Sequence, residues 1–367
     1  MSATVIAWGD PKAQKKWGTE LARDTVANQY WARKFVGKGE NNIIEQKTEL
    51  EADSGDRVSF DLSVELRQEP TEGDDVLDGK EEHLRFFTDE VAIDQTRKSV
   101  SCGGRMTRKR TVHDLRMVGK KRLKEYWAKY WDELYFIYLS GARGINEAFK
   151  VGLGWTGRAG NALQAPDNGH VLFGGDAHAK AEIVAADKMT RDTIERANVA
   201  ASMMHALDPE SASMVPVTVE GENLYVCVMS EFQCYDMRMD TGTGGWLDIQ
   251  KAAAASEGSS NRIFKGSLGK LDKCVLHSHE NVIRFSDYGA GADVPAARAL
   301  YLGRQAGMVA YGTTKGRRGI WVEDTKDFEN QPRVAGGFIQ GFKKTRFNGR
   351  DFGVMAIDTA ARNPNAA

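Results

Sequence analysis

The segment Arg57-Val-Ser-Phe-Asp-Leu-Ser-Val-Glu-Leu-Arg67 constrains the fold more than any other. Its apolar residues, Val58, Phe60, Leu62, Val64 and Leu66, alternate strictly with polar ones, which is the period of a strand with one buried face. A polar stretch follows, Gln68 to Glu82, with Pro70, Gly73 and Gly79. A second extended run, Leu84 to Val100, carries Val91 and Ile93 in alternation. The pattern predicts a long hairpin with an acidic tip. A two-stranded hairpin alone is marginal in water. No segment nearby in the chain offers an obvious cover for its apolar face, so another copy becomes a candidate cover.

The period then changes. Thr107 to Leu139 has no Pro and one interior Gly, and Leu115, Val118, Leu123, Trp127, Tyr130, Trp131, Leu134 and Tyr138 recur at helical spacing. Gly141 and Gly144 end the run. At 1.5 Å per residue this predicts one helix of roughly 45 Å, a rigid strut with a basic first half and an aromatic second half.

Charge is distributed unevenly along a chain whose formal net charge is only -1. From Glu49 to Asp94 there are sixteen acidic residues against four basic ones, and from Arg97 to Lys129 twelve basic against two acidic. Adjacent blocks of opposite sign read as two solvated faces or as surfaces that pair between copies or with nucleic acid. The tip acids are Glu69, Glu72, Asp74, Asp75 and Asp78, and the densest basic cluster is Arg105, Arg108, Lys109 and Arg110. No recognition-helix or zinc-finger signature accompanies that cluster, so sequence-neutral phosphate contact or protein–protein pairing is expected of it, not base readout.

The remaining segments read more briefly. Residues 1–47 carry scattered aromatics, Trp8, Trp17, Tyr30, Trp31 and Phe35, which suits an arm docking on other surfaces or a short helix, Ala22 to Phe35, packed on its own domain. Gly152 to Gly175 reads as loop, and Asp187 to Leu207 as a helix. Val217 to Met229 reads as a hairpin turning at Glu220-Gly221, and Ser230 caps a helix to Arg238. Trp246 to Ser256 has helical propensity, and Lys273 to Phe285 reads as strand. Pro295 suits the first turn of a helix to about Val309, and Asn348-Gly349 a hairpin turn between two strands within Arg333 to Thr359.

Catalytic and cofactor chemistry finds little support. Gly152-Leu-Gly-Trp-Thr-Gly157 matches a dinucleotide string, but a helix precedes it and a loop follows, the reverse of what phosphate cradling needs. His277 and His279 share one face of a predicted strand, as in some metallohydrolases, yet no third ligand or general base is evident. Cys102 lies in a basic neighbourhood that would lower its pKa, with no base to use it. The four cysteines, Cys102, Cys227, Cys234 and Cys274, form no CxxC pair, and free thiols are expected. No secretory signal and no apolar run near the ~18 residues that span a bilayer is present.

The order arm, long hairpin, long helix, second helix, compact α/β unit and returning hairpin resembles the Hong Kong 97-type fold of tailed-phage major capsid proteins. Phe60-Asp-Leu-Ser-Val64, Gly79-Lys-Glu-Glu-His-Leu-Arg-Phe-Phe-Thr-Asp89, Ile137-Tyr-Leu-Ser-Gly-Ala-Arg-Gly144, Trp246-Leu-Asp-Ile-Gln-Lys251 and Lys344-Thr-Arg-Phe-Asn-Gly-Arg-Asp-Phe-Gly353 look like the capsid family typified by the N-four-like podoviruses. The resemblance implies an α+β chain divided into an N-terminal arm (1–47), an extended loop (48–104), a peripheral domain with a spine helix (105–214), an axial domain (215–330) and return strands (331–367). It implies self-assembly into hexamers and pentamers of an icosahedral head shell around double-stranded DNA, in the virion. It brings portal, scaffold and decoration proteins as further partners, and no cofactor or catalytic residue. Some relatives cross-link a Lys to an Asn of a neighbour; nothing in this sequence identifies such a pair. Two other readings stay open: an encapsulin-like nanocompartment shell, and a metal-dependent hydrolase using His277 and His279.

Overall fold

The computed structural model describes residues 11–51, 55–63, 66, 68–207, 214–240, 267–313 and 318–365. Among the described residues six α-helices, α1 (Pro11–Asn28), α2 (Tyr30–Lys34), α3 (Arg105–Arg110), α4 (Leu115–Ser140), α5 (Arg191–Leu207) and α6 (Glu231–Met239), are arranged around two larger mixed sheets. The helix expected for Trp246 to Ser256 lies outside the described residues.

The first sheet is organised by one strand, Gln331–Lys344. One edge pairs with Asp94–Ser101; the other pairs in succession with Gly319–Lys326 and Gly307–Gly312. Ile44–Lys47 and Val36–Gly37 extend that side. Alternate residues of the long strand meet α4: Phe338 packs edge-on against Trp127 with ring centroids 5.3 Å apart, and Phe342 against Tyr135 at 4.4 Å. Two residues before Phe338, α1 and α4 both come so close that a β-carbon on Gly336 would lie 2.9 Å from Leu21 and 3.1 Å from Leu123.

The predicted single helix is two. Residues 111–114 break it, and Asp114 starts α4 by accepting the backbone N–H groups of Arg116 (3.0 Å) and Met117 (3.2 Å). The 26 residues of α4 span about 39 Å at 1.5 Å each, and Gly141, left-handed at φ 69°, ends it. Its last ten residues are buried on every side because both sheets and the N-terminal segment converge there.

The second sheet has Gly269–Leu271, Cys274–Ser278, Glu222–Met229, Val294–Leu302, Val354–Ala360 and Val171–Phe173 in that order. Val226, Val228, Leu300 and Leu302 face the core shared with α4, while Cys227, Met229, Ala299 and Tyr301 face α5 and α6. Burial on both faces explains one misreading. Pro295 to Val309, expected as a helix, forms the strand Val294–Leu302 and the start of Gly307–Gly312. A strand covered on both sides loses its period of two and reads as a continuous apolar run, and Ala-rich helix propensity yields to the sheet. Lys273 to Phe285 is likewise two strands, Cys274–Ser278 and Arg284–Tyr288, separated by a turn.

Local signals with a turn or cap held. Glu220 and Gly221 turn a hairpin with φ of 52° and 88°, and Ser230 makes a capping box with Gln233. Asn348 and Gly349 also turn left-handed, but join only Arg346–Phe347 to Arg350–Asp351; the longer strands on either side enter different sheets. Consequently the two sheets do not divide at one point in the sequence.

The hairpin Arg57–Ser63 with Phe86–Ala92 is present, with Arg57 opposite Ala92 and Ser63 opposite Phe86. Its root is fastened by Asn161, whose side chain accepts from Ala92 N (2.9 Å) and donates to Ala92 O (2.8 Å). A β-carbon at Gly341 would lie 1.8 Å from that same carbonyl oxygen. Gly341→Ala is therefore expected to destabilise the chain by about 1–3 kcal/mol through forced backbone displacement, read as a lower thermal midpoint and faster amide exchange at Val91 and Ala92.

Candidate assembly surfaces

The hairpin has two halves of different character. Val58, Phe60 and Val91 of the root are buried against Met308, Ala310, Phe347 and Phe352 of the same chain. The expectation that nothing in the chain covers the hairpin is thus corrected for the root. The covering residues lie more than two hundred positions away in sequence and meet the root only through the fold. The ion pair of Lys343 with Asp89 adds to this attachment, and that of Arg57 with Glu90 links the two strands of the hairpin itself. Farther out, Leu66, Val76, Leu77, Leu84 and Phe86 are exposed. Glu69, Glu72, Asp74, Asp75 and Asp78 stand exposed among them, with Lys80 3.6 Å from Asp75 as a local counter-charge. The described tip is therefore acidic and apolar at once.

The basic block also divides. Arg116 and Lys120 turn inward to Glu323, at 2.6 and 3.3 Å. These partners hold the Glu323 carboxyl below its usual range against the opposing effect of burial. Lys124 bridges Glu20 (2.9 Å) and Asp24 (2.6 Å) of α1. These side chains staple α4 to its own surroundings. Arg105, Lys109 and Arg110 of α3 face outward together with Lys121 and Arg122 of α4. Arg108 is half-buried and donates to the Asn330 carbonyl at 3.4 Å. Met106, Val112, Met117 and Val118 are exposed along the same stretch. The outward remainder is basic and apolar, the complement of the hairpin tip.

The other singled-out residues serve the core. His277 is buried in its strand, but His279 lies beyond the strand end, so the two do not share a strand face. His279 packs on Tyr30 (4.5 Å) and Phe136 (4.9 Å), and burial, with Lys34 nearby, holds its pKa down to about 4. Among the described residues no three His, Cys, Asp or Glu side chains are placed to hold a metal ion. All four cysteines are free and buried. Burial, then Glu323, raises the Cys102 thiol, opposite to the lowering expected from its basic neighbours. Gly152 to Gly157 lies in irregular chain up to the short strand Gly157–Arg158.

Sequence reasoning missed Asp132. This carboxylate is buried and accepts the backbone N–H groups of Tyr30 (2.8 Å) and Trp31 (3.1 Å), docking α2 on α4. Trp31 and Phe35 are buried with it, so these aromatics of the arm pack on their own chain. The neighbouring Glu133 pairs with Lys150 (3.1 Å).

The subunit thus carries an acidic, apolar hairpin tip and a basic, apolar face, both exposed. The family model described as phage capsid protein matches residues 5–363, and the chain belongs to that family. It is 25% identical over 373 residues to the major capsid protein of Pseudomonas phage KPP25, covering 94% of each. The capsid of Ralstonia phage GP4 matches over the full length of both chains, with 61% identity and a TM-score of 0.87. The capsid asymmetric unit of Cyanophage Pam1 shares the fold at 20% identity and a TM-score of 0.68, over 89% of this chain and 91% of that one. The chain is a phage major capsid protein, a component of the virion shell that assembles from many copies.

Burial raises the Asp132 pKa to about 7 against the opposing backbone hydrogen bonds, with Glu133 adding to the rise. A carboxyl raised on folding contributes stability that is fully present below its unfolded pKa and is lost as pH rises through the folded value. The difference in thermal midpoint between the parent and Asp132→Asn is therefore expected to move in the parent's favour as pH falls from 8 to 5. A pH-independent difference would contradict this role.

Proposed function

We propose that copies of this chain form an icosahedral shell of hexamers and pentamers enclosing the double-stranded DNA of a tailed bacteriophage. The arrangement is Hong Kong 97-type, and the chain sits with the N-four-like podovirus capsids that its sequence strings resemble. Residues 1–47, 48–104, 105–214, 215–330 and 331–367 serve as arm, extended loop, peripheral domain, axial domain and return strands. Because strands cross between the two sheets, these are segments of chain in the lattice and not separable bodies. Portal, scaffold and decoration proteins are the further partners this reading brings. The packaged DNA is contacted without sequence preference.

One observation carries the reading: the root of the hairpin is covered by its own chain, while its acidic and apolar distal half is exposed. In this reading the tip lies on Arg105, Lys109 and Arg110 of a neighbouring copy. Each exposed ion pair contributes only about 0–1 kcal/mol. Repetition over a shell and the summed field nonetheless fix register and steer assembly. With a Debye length of about 10 Å at 0.1 M salt, these contacts weaken as salt rises.

Reversing Asp74, Asp75 and Asp78 to Lys is expected to reduce assembly several-fold, measured by sedimentation and electron microscopy. Reversing Arg105, Lys109 and Arg110 to Glu in the same chain restores it; Arg108 is left in place because it holds Asn330. Unimpaired assembly of the tip variant, with no rescue effect, means that the basic face meets DNA and not a neighbour. Nuclease-protected DNA in the particles separates a phage head from an encapsulin-like compartment.

A further inference from the structure

Phe328 is 100% exposed. It stands in the turn between the strands Gly319–Lys326 and Gln331–Lys344. Asp327, Phe328 and Glu329 all have left-handed backbones, with φ of 57°, 46° and 65°, and none is glycine. Each such residue is disfavoured by contact of its β-carbon with the backbone. At 348–349 this same chain closes a turn with Asn-Gly, the inexpensive solution.

The strained turn is nevertheless held firmly. Asn330 N donates to Asp327 O (2.8 Å), and Asn330 Nδ2 to Asp327 Oδ2 (2.9 Å). Asn330 Oδ1 accepts from Arg105 N (3.0 Å), and its carbonyl from Arg108, so the turn is tied to the start of α3. The result is an aromatic side chain on a fixed backbone, held out in water beside the start of α3. An aromatic side chain with its backbone ordered in advance is the kind of group that dominates an interface, because little conformational freedom is lost on docking.

We propose that Phe328 anchors the hairpin tip of a second copy, seating its ring among the tip's Leu66, Val76, Leu77 and Leu84. The proposal rests on the tip-to-basic-face docking above and adds its apolar centre. Charge complementarity selects the occupant: residues 68–79 carry five acids and no base, and the turn bearing Phe328 is tied through Asn330 to α3, which carries Arg105, Arg108, Lys109 and Arg110. Geometry excludes the chain's own tip. Along the strand Gln331–Lys344, Asp94 pairs with Gln340 and Ser101 with Arg333. The hairpin root therefore lies at the end opposite the turn, the stretch from Arg333 to Gln340 alone spanning about 23 Å at ~3.3 Å per residue, and the hairpin continues past Lys343 and Arg346.

The experiment compares Phe328→Ser and Phe328→Leu in the full chain, alongside a cross-linking pair. Phe328→Ser is expected to leave the thermal midpoint of dispersed subunits unchanged and to cut the assembled fraction at least tenfold. Phe328→Leu retains most assembly. Subunits carrying Glu329→Cys are then co-assembled with subunits carrying Asp78→Cys, which leaves Phe328 and Leu77 in place, and treated with oxidised glutathione, which takes up the two electrons as the thiols join. A disulfide-linked dimer on a non-reducing gel, absent from either single variant, is the expected result. Full assembly of Phe328→Ser overturns the proposal. Impaired assembly without the cross-link also overturns it, by removing the stated occupant. Docking of the tip on the basic face is decided separately by the charge-reversal rescue.

Discussion

Both edges of the strand Gln331–Lys344 are hydrogen-bonded, and one of its faces carries α4. The assembly surfaces are positioned from this one element. At the Lys344 end it seats the hairpin root, where Gly341 leaves room for the Ala92 carbonyl that Asn161 grips. At the Gln331 end it carries the turn that Asn330 ties to α3. The acidic tip and the basic face thus leave opposite ends of a rigid strand, backed by interlocked aromatic rings on α4. In the proposed assembly these two surfaces meet between copies, which is the geometry of a repeat closed by many copies.

Charged side chains divide by what surrounds them and not by where they fall in the sequence. Arg116, Lys120 and Lys124 belong to the same basic run as Arg105, Lys109 and Arg110, yet they meet Glu323, Glu20 and Asp24 within the subunit. Composition registers twelve basic residues in that block; the fold leaves only part of them for a partner. Asp132 is the converse, a single carboxylate in an aromatic surrounding that joins the N-terminal segment to α4 through backbone groups.

What was legible in the sequence was local. The alternation from Val58 to Leu62, the helical period of α4, the cap at Ser230 and the turns at Glu220-Gly221 and Asn348-Gly349 each depend on neighbours within a few residues. The strand Val294–Leu302 escaped because burial on both faces erased its period. The cover of the hairpin root escaped because Met308, Phe347 and Phe352 are brought there only by the fold. Phe328 gave no signal at all: Asp-Phe-Glu-Asn contains neither Gly nor Pro, and its left-handed backbone is imposed by the strands on either side.

In the proposed assembly the distal hairpin of one copy completes the basic face of the next. A cryo-electron microscopy map of the assembled shell, at a resolution that traces side chains, tests it most directly. Density for residues 66–84 of each subunit is expected to lie on α3 and the 327–330 turn of its neighbour, with Phe328 covered. A shell in which α3 lines the interior against packaged DNA, while the hairpin tip rests elsewhere or stands free in solvent, would contradict it.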